Sequence, residues 1–93
     1  MTPDEKDIRG VRAKELMDNP LLKDAVKTIK EAIIHKWSIT DPSDTDQREY
    51  LWKLHEAATS FENVLFGYIQ TGEIARKQLQ ETKTFRQRIK SVM

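Results

Sequence analysis

Apolar residues between positions 51 and 72 recur at alternating intervals of three and four. They are Leu51, Leu54, Ala58, Phe61, Leu65, Tyr68 and Gly72. This period of about 3.5 residues keeps one stripe of an α-helix facing a partner helix. Tyr50, Ala57 and Val64 form a neighbouring line with a spacing of seven. A helix that is apolar on two adjacent faces needs more than one partner, which another helix or another subunit must supply.

A second helical pattern precedes this stripe. Its apolar positions are Leu22, Ala25, Val26, Ile29, Ala32, Ile33 and Trp37. Asn19 followed by Pro20 is typical of an N-cap and a first helical residue, and the polar segment 38–44 predicts a loop. The patterns predict helices over about 20–38 and 45–71, the latter capped by Asp41 or Asp44. Two long amphipathic helices joined by a short loop predict an antiparallel helical hairpin.

Further helical patterns flank the hairpin. Thr2, Pro3 and Glu5 form a capping box at the start of a short N-terminal helix. Gly10 within that helix costs about 1 kcal/mol relative to Ala. At the other end, Gly72 either ends the third helix as a C′ glycine or is tolerated inside one continuous helix.

We therefore predict an all-α fold in one helical domain, 1–93. A short N-terminal helix occupies 1–18, the hairpin core occupies 19–72, and a basic C-terminal helical arm occupies 73–93. The apolar stripe of the arm is thin, so we expect assembly to order it. No run alternates with period two, which disfavours strands.

Charge is uneven along a chain whose net charge is only +1. Acidic residues outnumber basic ones over residues 41–60, whereas the arm is basic through Arg76, Lys77, Lys83, Arg86, Arg88 and Lys90. Solvated helix faces with head-to-tail subunit contacts explain such a pattern. The alternative is an arm that contacts nucleic acid or an acidic protein, with these six residues as the candidate contacts.

Composition points away from several classes of protein. The chain has no cysteine, which excludes disulfides and thiolate metal sites. Its apolar runs of three or four residues are far short of the roughly 20 that span a bilayer, so no membrane contact is expected. The first residues of the sequence lack the basic segment and the following apolar segment that are typical of a secretory signal peptide. We expect a cytoplasmic protein, or a viral one made in a cytosol.

Candidate chemistry is sparse. Only His35 and His55 could serve as imidazole bases or ligands, and the short spacings typical of metal motifs are absent. No glycine-rich phosphate loop or serine nucleophile motif occurs. We expect no catalytic residue, no metal and no cofactor, and therefore no enzyme; a metalloenzyme is a distant alternative.

Aromatic residues carry more information. Trp37, Tyr50 and Trp52 flank the predicted loop, so we expect their rings to cluster at the closed end of the hairpin. They either pack the hairpin or anchor an interface. Phe66 lies off both apolar lines and is a candidate for contact with a second chain. The candidate interface residues are Tyr50, Trp52, Val64, Phe66, Phe85 and Ile89.

Several of these segments together resemble small helical proteins of tailed bacteriophages. They are Asn19-Pro20-Leu21-Leu22, Trp37, Arg48-Glu49-Tyr50-Leu51-Trp52 and Thr71-Gly72-Glu73-Ile74-Ala75. The resemblance covers about residues 12–79 and implies virion assembly, DNA packaging or host take-over. The basic arm is also similar to the small subunit of packaging terminases, which builds rings from helical hairpins. This chain lacks a preceding helix-turn-helix domain, which puts sequence-specific DNA recognition in doubt.

The sequence thus predicts a non-enzymatic, oligomeric helical interaction or assembly protein, phage-encoded and acting in virion assembly or DNA packaging. Two alternatives stay open. One is an inhibitor or adaptor that binds a phage or host protein through Trp52 and Phe66. The other is non-specific nucleic-acid binding through the basic arm, with affinity that falls steeply with salt.

Overall fold

The computed structural model describes residues 1–92 and is all-helical, with no strand in that range. Helix α1 spans Pro3–Asp18, α2 spans Pro20–Ile39 and α3 spans Thr45–Val92. The predicted all-α class is confirmed. The helix predicted over 45–71 and the C-terminal arm are one element, because α3 runs through Gly72 without a break. Of the two alternatives for this glycine, the continuous helix is the observed one.

Each helix begins at a side-chain cap, as the sequence predicts. The Glu5 amide donates to Thr2 Oγ1 (3.2 Å), whose hydroxyl donates to the Glu5 carboxylate (3.1 Å). The Asn19 Oδ1 accepts from the amides of Leu21 (2.9 Å) and Leu22 (3.2 Å). The Asp44 Oδ1 accepts from the Gln47 amide (3.1 Å). These bonds satisfy amides that have no partner inside the helix, which fixes where each helix starts.

The loop between α2 and α3 is stabilised by Asp41. Its Oδ1 accepts hydrogen bonds from the Ser43 hydroxyl (2.7 Å) and from the Ser43 amide (2.8 Å). Both bonds favour the ionised carboxylate, so they lower the pKa of Asp41, the hydroxyl more than the amide. The loop therefore keeps a negative charge beside the start of α3.

The chain divides into two compact units. Unit 1 combines Met1–Glu15 with α3 from Leu65 onward, and unit 2 is Leu16–Val64. In unit 2, Lys30 of α2 forms an ion pair with Glu62 of α3. The Arg48 guanidinium lies 4.3 Å from the centre of the Trp37 ring. Leu51 is buried within this unit.

In unit 1, α1 and α3 meet at two glycines. A Cβ added at Gly10 would lie 2.9 Å from the Gly72 Cα, and one added at Gly72 would lie 2.8 Å from the Gly10 Cα. Ala13 and Ala75, one turn further along each helix, are buried. Only small side chains allow backbones to approach this closely. The sequence showed Gly10 solely as a helix-weakening residue, whereas the fold uses it as a contact.

Polar contacts frame this glycine crossing. The Arg76 Nε donates to Asp7 Oδ1 at 3.0 Å, and Arg76 Nη2 lies 3.0 Å from the same oxygen. The Arg9 guanidinium lies 4.0 Å from the centre of the Tyr68 ring. These contacts hold α1 against α3 although few large apolar side chains join them.

The apolar core of the described chain is very small. Its buried apolar side chains are Ala13, Leu51, Leu65 and Ala75.

Candidate protein–protein interface

An apolar groove runs between α2 and α3 within unit 2 and encloses about 800 Å³. Seven residues of each helix line the groove: Leu22, Ala25, Val26, Ile29, Ala32, Ile33 and Lys36 of α2, and Gln47, Tyr50, Leu51, Leu54, Ala57, Ala58 and Phe61 of α3. The same spacing of three and four residues that makes each helix amphipathic places these side chains in line. The small residues Ala25, Ala32 and Ala57 leave room between the larger ones, so the groove stays open.

Several large side chains of the groove are only partly covered, although Leu51 on its α3 wall is buried. Ile29 keeps 53% of its surface exposed, Phe61 48% and Leu54 39%. Leu54 and Phe61 belong to the stripe that the sequence predicts to face a partner helix, yet α2 covers them only in part. Exposed apolar surface costs about 25 cal/mol per Å² relative to burial, so the groove favours an occupant.

All six interface candidates from the sequence are exposed, namely Tyr50, Trp52, Val64, Phe66, Phe85 and Ile89. Tyr50 lines the groove. Val64 lies on the same neighbouring line of α3 as Tyr50 and Ala57, but it does not line the groove. Trp52 and Phe66 do not line the groove, and Phe66 lies about 140° around the helix from Phe61. The candidates therefore belong to different surfaces, and their interface role stays a prediction.

The aromatic residues near the loop are arranged differently from the expected cluster. Trp52 stacks on His55, with ring centres 6.2 Å apart and planes inclined by 14°. Trp37 instead lies under the Arg48 guanidinium. Trp52 is 55% exposed, so His55 covers it only partly. This exposure leaves Trp52 available to a partner.

The six basic residues of the arm fall into two groups. Arg76 is held by Asp7 in unit 1. The other five, Lys77, Lys83, Arg86, Arg88 and Lys90, are exposed, and none takes part in the four ion pairs of the described residues. Phe85 lies among them at a shallow depression that Lys77, Glu81 and Arg88 also line. The arm thus combines uncompensated positive charge with an exposed aromatic ring.

Two further findings concern chemistry and membranes. Over residues 1–92, no group of three or more His, Asp or Glu side chains is placed to hold a metal ion. None of α1, α2 and α3 is apolar enough over a sufficient length to cross a bilayer.

Sequence reasoning missed the open groove and the glycine crossing. The sequence pattern predicts that the apolar stripes of α2 and α3 cover each other. The alanines at 25, 32 and 57 are the available signal that the two stripes leave a groove open. Two helical glycines, Gly10 and Gly72, were the available signal for a close helix contact. Which side chains of two different helices come into contact depends on tertiary packing, and the residue pattern within one helix does not encode it.

Comparison with known proteins gives no relatives: no protein family, no characterised protein and no solved structure matches the chain. The resemblance to small phage proteins therefore stays a prediction, and the surfaces of the chain itself carry the functional argument.

Proposed function

We propose that this chain is a non-enzymatic helical interaction module that assembles with further copies of itself. Its working part is the pair α2 and α3 of unit 2, an antiparallel hairpin with the groove on one side. The observation that carries the proposal is the minimal core of four buried apolar residues, two of which are alanines.

The energetics favour assembly over a lone chain. Ordering a residue costs about 1–2 kcal/mol of backbone entropy, and burying a large apolar side chain returns about 1.5–3 kcal/mol. Among the residues whose burial the structure describes, only Leu51 and Leu65 are both large and buried, so most residues are ordered without this stabilisation. Covering Ile29, Leu54 and Phe61 in an interface supplies the missing burial. Folding and association are then one process.

The biological setting rests on the resemblance alone. Small helical phage proteins and packaging subunits that form rings from hairpins are the context in which such a module would act in virion assembly or DNA packaging. The protein would then work in the host cytoplasm or in the virion.

Two other surfaces support further roles. Trp52 and Phe66 are each more than half exposed and lie away from the groove, as an adaptor or inhibitor of a phage or host protein requires. The five uncompensated cations of the arm suit non-specific contact with nucleic acid. Both roles are compatible with self-assembly through the groove, because they use different side chains.

The thermal midpoint tests the proposal. If folding requires association, dilution destabilises the fold by mass action. We expect the midpoint of the helical circular dichroism signal to fall by roughly 5–10 °C for a hundredfold dilution. If the thermal midpoint stays constant over this hundredfold dilution of the protein, one copy folds alone and the proposal is wrong.

A further inference from the structure

We propose that the C-terminal arm docks on duplex DNA, with residues 82–91 of α3 lying in the major groove. This inference rests on the nucleic-acid role named above for the arm. It adds the kind of nucleic acid, the groove of the duplex and the face of the helix that enters it. It does not depend on self-assembly through the groove of unit 2.

The first observation is that the positive charge of this segment has no compensation. Residues 82–91 contain Lys83, Arg86, Arg88 and Lys90 and no acidic residue. All ten residues are exposed, and none of the ion pairs within the described part of the chain involves these four cations. An ordinary solvated helix face mixes both signs of charge. A segment with one sign alone favours a partner of the opposite charge.

Three of these cations also repel one another along the helix. Arg86 lies three residues after Lys83 and four residues before Lys90, so the three form a cationic row on one side of α3. Like charges at these spacings destabilise a helix. The carbonyl end of α3 favours Lys90 in the last turn, but Lys83 and Arg86 lie too far from that end to gain from it. A polyanion relieves the repulsion.

The second observation is an uncharged strip between the cations. The strip consists of Thr82, Phe85 and Ile89. At 3.6 residues per turn, the cationic row is centred about 100° to one side of the strip, and Arg88 lies about 90° to the other side. Phe85 keeps 63% of its surface exposed and Ile89 41%, so the described chain leaves the strip open.

This arrangement matches the major groove of B-DNA. An α-helix with its side chains is about 10–12 Å wide and the major groove is about 12 Å wide, so the duplex admits one helix there. The strip then faces the base edges, the cationic row faces the phosphates of one strand, and Arg88 faces those of the other strand. Phe85 and Ile89 suit thymine methyl groups but form no hydrogen bonds with bases, so sequence preference is weak.

Other polyanions fit the arm less well. The major groove of double-stranded RNA is deep and too narrow for side chains to read. A helix that lies on a membrane surface needs a continuous apolar face, whereas the strip has two large apolar side chains, Phe85 and Ile89. Duplex DNA is the polyanion that uses both the strip and the cations beside it.

A binding titration with the full chain tests the choice of partner. Fluorescence anisotropy measures the affinity for a short DNA duplex and for an RNA duplex of the same sequence, and co-sedimentation measures binding to phosphatidylserine vesicles. We expect DNA to bind at least tenfold more tightly than RNA. Four phosphate contacts predict a slope of about −3.5 for log affinity against log salt concentration. Equal affinity for the RNA duplex, or binding to the vesicles alone, overturns the inference.

Two matched threonine variants test which face of the arm enters the DNA. Thr82 lies in the strip, whereas Thr84 lies about 130° from its centre. Both residues are exposed, and each hydroxyl donates to the carbonyl oxygen four residues earlier at 3.0 Å. A glutamate at either position adds the same charge and has an arginine four residues later, Arg86 or Arg88. Circular dichroism checks that both variants stay helical.

We expect Thr82→Glu to weaken binding to the DNA duplex at least tenfold more than Thr84→Glu does at the same salt concentration. If both variants weaken binding equally, charge alone attracts the DNA, and the arm does not enter the major groove. That result overturns the inference and leaves the non-specific role standing. If the unmodified chain binds neither duplex, the nucleic-acid role fails as well, whereas self-assembly is unaffected.

Discussion

Replacing Phe61 by Asp is expected to weaken self-association at least a hundredfold. Phe61 lines the groove and is half exposed in one copy, so the assembly covers the remainder. A carboxylate there loses the apolar contact and must be desolvated, with a combined cost of about 3 kcal/mol or more. Because about 1.4 kcal/mol corresponds to a factor of ten, this cost sets the expected change. Sedimentation equilibrium measures the dissociation constant.

Phe66→Asp is the matched control for this variant. It changes the same residue type on the same helix at nearly the same exposure, 52% against 48%, but outside the groove. We expect its dissociation constant to stay within a factor of three of the unmodified chain. If Phe66→Asp weakens association and Phe61→Asp does not, the copies meet through the Trp52 and Phe66 side of α3 and the groove is not the interface.

Replacing Gly72 by Ala is expected to destabilise unit 1 although Ala is the better helix former. The added Cβ would lie 2.8 Å from the Gly10 Cα and 2.9 Å from the Lys6 carbonyl oxygen, and backbone atoms cannot move aside locally. Overpacking of this kind costs about 1–3 kcal/mol, and it is expected to exceed the gain of up to about 1 kcal/mol in helix propensity. Urea denaturation at one fixed protein concentration measures the difference.

Gly67→Ala separates the gain in helix propensity from the cost of overpacking. A Cβ at Gly67 meets no atom within 4 Å, so only the propensity gain applies. We expect Gly67→Ala to raise the free energy of unfolding by about 0.5–1 kcal/mol. If Gly72→Ala raises it equally, α1 does not pack against α3 at the glycines.

The sequence was sufficient for features that depend on neighbouring residues. Asn19 and Asp44 cap their helices because the bonded amides are two or three residues away, and the loop at 40–44 follows from its own composition. The all-α class of the fold and most of the helix boundaries follow from the spacing of the apolar residues. Gly72 is the exception, since one glycine is compatible with both a helix end and a helix interior.

Features that join distant residues could not be read from the sequence. The Asp7 and Arg76 ion pair and the Gly10 and Gly72 contact link residues more than 60 positions apart. Arg76 was assigned with the other cations of the arm, and only the fold separates it by giving it a carboxylate partner. The stripe through Leu54 and Phe61 indicates a face that favours burial, but not which helix covers that face, and its burial by a partner stays a prediction.

We expect that one copy of this chain cannot cover its apolar surface, and sedimentation equilibrium of the unmodified protein at micromolar concentration tests this expectation most directly. The predicted mass is twice 10.9 kDa or a higher multiple, falling toward a single copy only as the helical signal is lost on dilution. A fully helical species of one copy, stable across that concentration range, would contradict it.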